Sequence, residues 1–385
     1  MYASASLVNQ HALAQEGRKP DPDALLIEVY KDMAANHLRE ALQKTDRLIE
    51  AYPNFHLAHL IRGDLLMMHG RPVTTLGAAS NAPADKLKDF RDEAMVRLRS
   101  LRERPDPDLV PNSVLMLRDD QSYVLLADTK QSRLYVYQHD NGQLKFVTDY
   151  YITQGKLGIN KVKEGDQKTP IGVYYITSRL PKAKLPDFYG AGALPINYPN
   201  EWDKLNGRSG SGIWLHGTPS DSFSRPPLAS DGCVVLTNPD LEKLSLSVEI
   251  GKTPIVISDQ VEFISRGKWD AERNASAQMM DGWRRDLESM DSERVLNNYS
   301  KKFKSNLGED LLRWFPKYRI FLQGKVRPAI KLRDMTLFRY PGRDEMVVST
   351  FTQETVIGKS KAAIRKRQYW AKEGAQWKII YEGTL

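Results

Sequence analysis

The apolar residues of this 385-residue chain change their period three times, and no single core can absorb all four stretches. From Asp23 to about Arg104 they recur at helical spacing. After Pro105-Asp106-Pro107-Asp108 and Pro111-Asn112, short β-rich runs take over, separated by turn residues. From Trp269 to about Met290 the spacing is helical again, and from Lys331 it returns to strands. That order predicts a multidomain protein with an α-helical N-terminal region, a mainly-β domain and an α+β C-terminal domain. The expected boundaries are a flexible lead-in at 1–22, a helical region at 23–105, a β domain at 113–260 and an α+β domain at 270–385.

In the helical region, the run Ala41 to Asn54 stops at Tyr52-Pro53, where proline ends a helix. A second helix runs from Phe55 to His69 and is closed by Gly70. Together they read as one tetratricopeptide-type pair of roughly 34 residues. A lone pair cannot bury both faces, so it is expected to pack on a helix at 84–103 or on a second copy, as a homodimer. In the β domain, strands are expected at 114–117, 123–128, 133–137, 144–153, 172–177, 212–215 and 253–258. The stretch 181–211 is rich in Pro, Gly and Asn and reads as an irregular functional loop. In the last domain, helices are expected at 292–303 and 309–315. Strands are expected at 331–340, 345–354, 366–372 and 376–381, the last two joined by a turn at Glu373-Gly374.

Composition removes several functions. No apolar run approaches the roughly 18 residues of a membrane span. No basic stretch followed by an apolar core opens the chain, so the start reads either as cytoplasmic or as the product of signal removal. One cysteine, Cys233, excludes internal disulfides. No Walker-type loop, G-x-G-x-x-G or paired C-x-x-C is present, so no cofactor is expected. His56 and His59 share a helix face without acidic or thiol neighbours, so no metal is expected. The net charge is +8, but residues 301–385 alone carry +11 and the first 300 carry −3. A basic C-terminal segment suits an anionic polymer, an anionic surface or a solvated face.

The chemistry converges on Cys233. It sits in Ser230-Asp231-Gly232-Cys233-Val234-Val235, and Ile213-Trp214-Leu215-His216-Gly217 lies just upstream, with His216 17 positions before the thiol. A thiolate nucleophile needs a nearby base, a holder for the oxyanion and a backbone that exposes the sulfur. Gly232 permits a tight turn, and amides around Cys233 suit an oxyanion. His216, at a probable strand end, can take the thiol proton, with a carbonyl near Gly217 holding its other nitrogen.

Together with Lys168-Thr169-Pro170-Ile171-Gly172-Val173-Tyr174-Tyr175-Ile176 and Asn197-Tyr198-Pro199-Asn200, these runs resemble the L,D-transpeptidase (YkuD) catalytic domain over about 113–260. Its signature is a histidine followed, after a gap, by S/T-H-G-C. The resemblance implies Cys233 as nucleophile and His216 as general base, supported by Gly232, Gly217, Ser230 and Asp231. Trp214, Arg208, Tyr198 and Arg225 become candidate substrate contacts. Two positions depart from the pattern. The motif histidine is Asp231, whose charge disfavours a thiolate unless it points away or pairs with a base. The usual arginine two residues after the cysteine is Val235, and Arg208 or Arg225 is a candidate replacement. The C-terminal order, ending in Trp377-Lys378-Ile379-Ile380-Tyr381, resembles a nuclear-transport-factor-2-like (NTF2-like) domain.

The resemblance implies attack on the bond between a diamino acid and D-alanine in a peptidoglycan stem tetrapeptide. An amine acceptor makes a cross-link, water makes an L,D-carboxypeptidase, and a lipoprotein leaving group would make a releasing enzyme. A weakly active wall-binding module is the non-enzymatic alternative. The resemblance also implies a periplasmic location, stem peptides as partners, and a sacculus rather than nucleic acid as the target of the basic C-terminal domain.

Overall fold

The computed structural model describes residues 19–78, 83–324, 326–342 and 345–385. The expected lead-in therefore lies outside the described residues up to position 18, and Pro22 already opens a helix. The chain divides into two compact units. The first joins Met1–Glu103 with Pro186–Gly190 and Thr218–Pro227, and the second holds the remainder.

The first unit contains α1 (Pro22–Ala34), α2 (Leu38–Ala51), α3 (His56–Met68) and α4 (Ala84–Arg102). The Asp21 side chain caps α1 by accepting from the Ala24 amide at 3.0 Å. Leu26, Val29, Leu48, Phe55, Ile61 and Leu65 form the core, and Phe223 joins them from the 218–227 segment. Its ring lies 4.6 Å from Tyr52 and 4.7 Å from Phe55, centroid to centroid. Ser224 adds a polar fastening by donating to Glu93 at 2.7 Å. The apolar face of the α2–α3 pair is thus met by α1, by Phe90 and Ala94 of α4 and by a segment far away in sequence. His59 bonds the Pro53 carbonyl at 2.7 Å, which gives it a structural partner.

The second unit begins with β1 (Leu109–Pro111), β2 (Val114–Met116), β3 (Tyr123–Asp128), β4 (Arg133–Asp140), β5 (Gln143–Tyr151), β6 (Gln154–Gly155) and β7 (Gly172–Tyr175). Then come β8 (Leu180–Pro181), β9 (Gly192–Pro195), α5 (Glu201–Leu205), β10 (Trp214–His216), β11 (Leu228–Ser230), β12 (Val234–Val235), α6 (Asn238–Leu246) and β13 (Pro254–Ser258). A five-stranded sheet, β5-β4-β3-β13-β7, divides two cores. Alternation explains the division. Leu125, Ala127, Val136, Ile255 and Ile257 face Leu215, Val234, Leu241 and Leu244, whereas Val124, Leu126, Tyr137 and Val256 face Trp269, Phe338 and Tyr369. Both faces are covered, so the strands read as nearly continuous apolar runs. A smaller sheet, β12-β10-β9-β8, lies in the first of these layers.

The unit ends with β14 (Phe263–Ser265), α7 (Arg266–Ser289), α8 (Ser292–Asn297), β15 (Tyr299–Ser305), α9 (Leu311–Leu322), β16 (Ala329–Arg339), β17 (Met346–Ile357), β18 (Ser360–Glu373) and β19 (Gln376–Thr384). They build a six-stranded sheet, β15-β19-β18-β17-β16-β2, on which Met280, Trp283 and Leu287 of α7 pack with Leu337, Phe351 and Trp370.

Further differences from the expected elements lie in the second unit. Val114–Met116 leaves the β domain and pairs with β16 of the C-terminal sheet. The helix expected at 292–303 ends at Asn297, and Tyr299–Ser305 is a strand whose residues at 299, 303 and 305 are buried. The next helix runs to Leu322 with Pro316 inside it. The stretch 181–211 is not irregular throughout. Asn200 and Asp203 form a reciprocal capping box, 2.9 and 3.1 Å, that starts α5 within it. From α5, Glu201 accepts from Arg367 at 2.8 Å and Tyr369 at 2.9 Å, and the Trp202 ring stacks 4.9 Å from Tyr369.

Candidate active site

Cys233 lies on a turn that only glycine can make. Gly232 has φ of +123°, and a Cβ there would fall 2.7 Å from the Lys168 carbonyl oxygen. The Ser230 hydroxyl closes the turn from inside, accepting from the Gly232 amide at 3.1 Å and donating to the Cys233 carbonyl at 2.6 Å. Thr169, from the Thr-Pro run, clamps it from outside. Its hydroxyl donates to the Gly232 carbonyl at 3.0 Å and accepts from the Gly155 amide at 2.9 Å. The half-buried Cys233 thiol points to the Gly212 carbonyl at 3.3 Å.

His216 reaches the same face through sheet register. Strands β10 and β12 pair in parallel, Leu215 with Val234 and His216 with Val235. Leu215 and Val234 enter the core, so the alternate positions, Trp214, His216, Cys233 and Val235, share the opposite face. His216 is 1% exposed, and its Nδ1 lies 2.7 Å from the Gly217 carbonyl. A carbonyl only accepts, so Nδ1 carries a ring proton, and in the neutral imidazole Nε2 carries the lone pair.

A family model for the L,D-transpeptidase catalytic domain matches residues 122–257, and one for the Cds6 C-terminal NTF2-like domain matches 276–383. The structure of Bdellovibrio bacteriovorus Bd1075 is 31% identical, with a TM-score of 0.63 over 72% of this chain and 98% of that one. The chain belongs to the L,D-transpeptidase family. The helical cell shape determining protein Pgp2 from Campylobacter jejuni is 25% identical, with a TM-score of 0.61 over 73% of this chain and 97% of that chain. No curated protein matches the chain.

In this L,D-transpeptidase-family protein the departing Asp231 points outward, 64% exposed, and is neutralised in place. Lys156 donates to its carboxylate at 3.0 Å and Gln167 at 3.1 Å. The loop carrying both is itself held by Asp166, which accepts from Lys161 at 2.9 Å and from the amides of Val162, Lys163 and Lys168. Burial opposes ionisation of Asp166, but Lys161 and these amides outweigh it and hold the carboxyl well below the usual range.

Three of the expected substrate contacts are engaged elsewhere. Tyr198 is 6% exposed, and its hydroxyl donates to the Ser209 carbonyl at 3.0 Å. Arg208 is tied to the buried Asp203 at 3.1 Å and so braces α5. Arg225 belongs to the helical unit, stacked 4.5 Å over the Phe188 ring. Trp214 remains half-buried on the face shared with Cys233. The Gly232 amide donates to Ser230 and so supports the turn. The sequence alone assigns no individual role to Thr169, Lys156 or Gln167. Thr169 was visible only as part of a run, and nothing local marks the other two.

Proposed function

We propose that Cys233 is the acyl-transfer nucleophile and His216 its general base, acting on stem tetrapeptides of peptidoglycan. The observation that carries this reading is the His216 bond to Gly217, which leaves Nε2 as the basic nitrogen on the face of the thiol. His216 takes the Cys233 proton, and the sulfur attacks the carbonyl between the diamino acid and D-alanine. Backbone amides at the nucleophile turn, Gly232 excepted, hold the oxyanion. Collapse breaks the C–N bond, the D-alanine amine leaves with the proton from His216, and a thioester remains on Cys233. His216 then deprotonates the acceptor that resolves it. Water gives the tripeptide, and a second stem's amine gives a cross-linked dimer.

Such a substrate places the protein at the cell wall, in the periplasm. None of the described helices is long and apolar enough to cross a membrane. The likeness to a cell-shape determinant supports trimming or cross-linking that alters wall geometry. Mass analysis of products from disaccharide tetrapeptide tests the assignment. Cys233→Ala is expected to yield neither tripeptide nor dimer, and turnover by that variant would sink it. The wild-type product names the acceptor.

A further inference from the structure

The bond that sets the tautomer of His216 depends on where the Gly217 carbonyl points, and a residue outside the motif packs against that glycine. Asn238 is the first residue of α6, just after the Thr237 cap. Its side-chain oxygen accepts from the Ala191 amide at 2.7 Å. The same oxygen lies against the Cα of Gly217. A Cβ built on Gly217 would fall 2.1 Å from Asn238 Oδ1 and 2.9 Å from the Ala191 nitrogen. The Gly217 amide donates to the Gly192 carbonyl at 3.3 Å, and the Leu236 amide donates to the His216 carbonyl at 2.9 Å. The segment after Cys233 thus runs beside the segment containing His216, and Asn238 closes the end of that ladder. Gly217 is therefore glycine for want of space, since its backbone is not in the left-handed region.

We propose that Asn238 is a positioning residue for the general base, holding the Gly217 peptide so that its carbonyl receives Nδ1–H of His216. The inference rests on His216 being the base. Its chemistry is that of an orienting group one step removed. Without the Asn238 amide, Ala191 loses its acceptor and the Gly217 peptide gains room to rotate. The imidazole then populates the tautomer with its proton on Nε2, which cannot accept from the thiol. Losing an outer partner typically costs about 10- to 100-fold in activity where the histidine ligates a metal, and a loss of that order is expected here.

The test is Asn238→Ala beside Asn238→Asp, which keeps the acceptor oxygen, in the full-length protein with 15N-labelled histidine. Nitrogen chemical shifts read the His216 tautomer directly, with His216→Gln assigning the signal, and kinetics on disaccharide tetrapeptide read the consequence. The expected result for Asn238→Ala is mixed tautomers and kcat down about tenfold or more, with KM within about twofold. Asn238→Asp is expected to restore the Nδ1–H tautomer and most of kcat. An unchanged tautomer in Asn238→Ala overturns the proposal, whether or not the melting temperature falls. A changed tautomer with unchanged kcat supports the positioning and instead contradicts His216 as the base.

Discussion

Removing the Glu201 carboxylate is expected to destabilise the second unit far more than a surface substitution would. Glu201 is 21% exposed at its side chain and Arg367 only 8%, and they meet at 2.8 Å. Tyr369 donates to the same carboxylate oxygen, and Thr350 accepts from Arg367 Nε at 2.9 Å. Glu201→Ala leaves the guanidinium buried with one hydroxyl partner and the face of Tyr175, 5.5 Å away. Breaking a buried pair from one side costs about 3–5 kcal/mol. At roughly 2–4 °C per kcal/mol for a unit of this size, the melting temperature should fall by about 6–20 °C. The double variant Glu201→Gln/Arg367→Met should recover most of that loss, because no charge is left buried. The pH dependence has a defined sign. Burial raises the Glu201 pKa, but the charge and hydrogen bonds of Arg367, with Tyr369, lower it more, so the net direction is down. A carboxyl whose pKa is lower folded than unfolded stabilises fully above the unfolded pKa. That contribution is lost as pH falls through the folded value. The gap between wild type and Glu201→Ala should therefore narrow in acid. Calorimetric melting across pH measures it. A Glu201→Ala loss under about 0.5 kcal/mol, or a gap that widens in acid, would refute the reasoning.

Two other perturbations probe the site and the helical unit. Lys156→Gln removes the cation that offsets Asp231 near the sulfur, so the acid limb of kcat/KM should move to higher pH. Asp231→Asn should move it to lower pH, and both shifts should shrink at high salt; no movement in either variant contradicts electrostatic compensation. Phe223→Ala should cost the helical unit about 3–5 kcal/mol, since a ring buried against Tyr52 and Phe55 is lost. Hydrogen exchange should then rise throughout α1–α3, and unchanged protection would show that the 218–227 segment is not part of that core.

Much of this architecture was legible in the chain because local rules and tertiary context agree. The Tyr52-Pro53 stop, the β3 run and the Glu373-Gly374 hairpin all lie where periodicity and turn chemistry place them. Failures came where partners are distant. Tyr299–Ser305 has no strong local preference and becomes a strand by pairing with β19, more than seventy residues away. Val114–Met116 reads as a strand, but nothing local says that its neighbour is β16. At the site, the turn at Gly232 was legible because a strained backbone demands glycine, and the runs around His216 and Cys233 were legible because their residue types match the family's. The bond from His216 to Gly217 followed from adjacency. The partners of Arg208, Arg225 and Tyr198 were hidden because a side chain's nearness in sequence does not reveal what it touches. They are Asp203, Phe188 and Ser209. Lys156 and Gln167 were missed for the converse reason, since only the fold brings their loop to Asp231.

The most direct test of the central claim is the intact mass of the protein after rapid acid quench during turnover of disaccharide tetrapeptide. Wild type should carry a disaccharide-tripeptide adduct that maps to Cys233 and is released by hydroxylamine, and Cys233→Ala should carry none and turn over nothing. An adduct on another residue, or turnover by Cys233→Ala, would contradict the thioester.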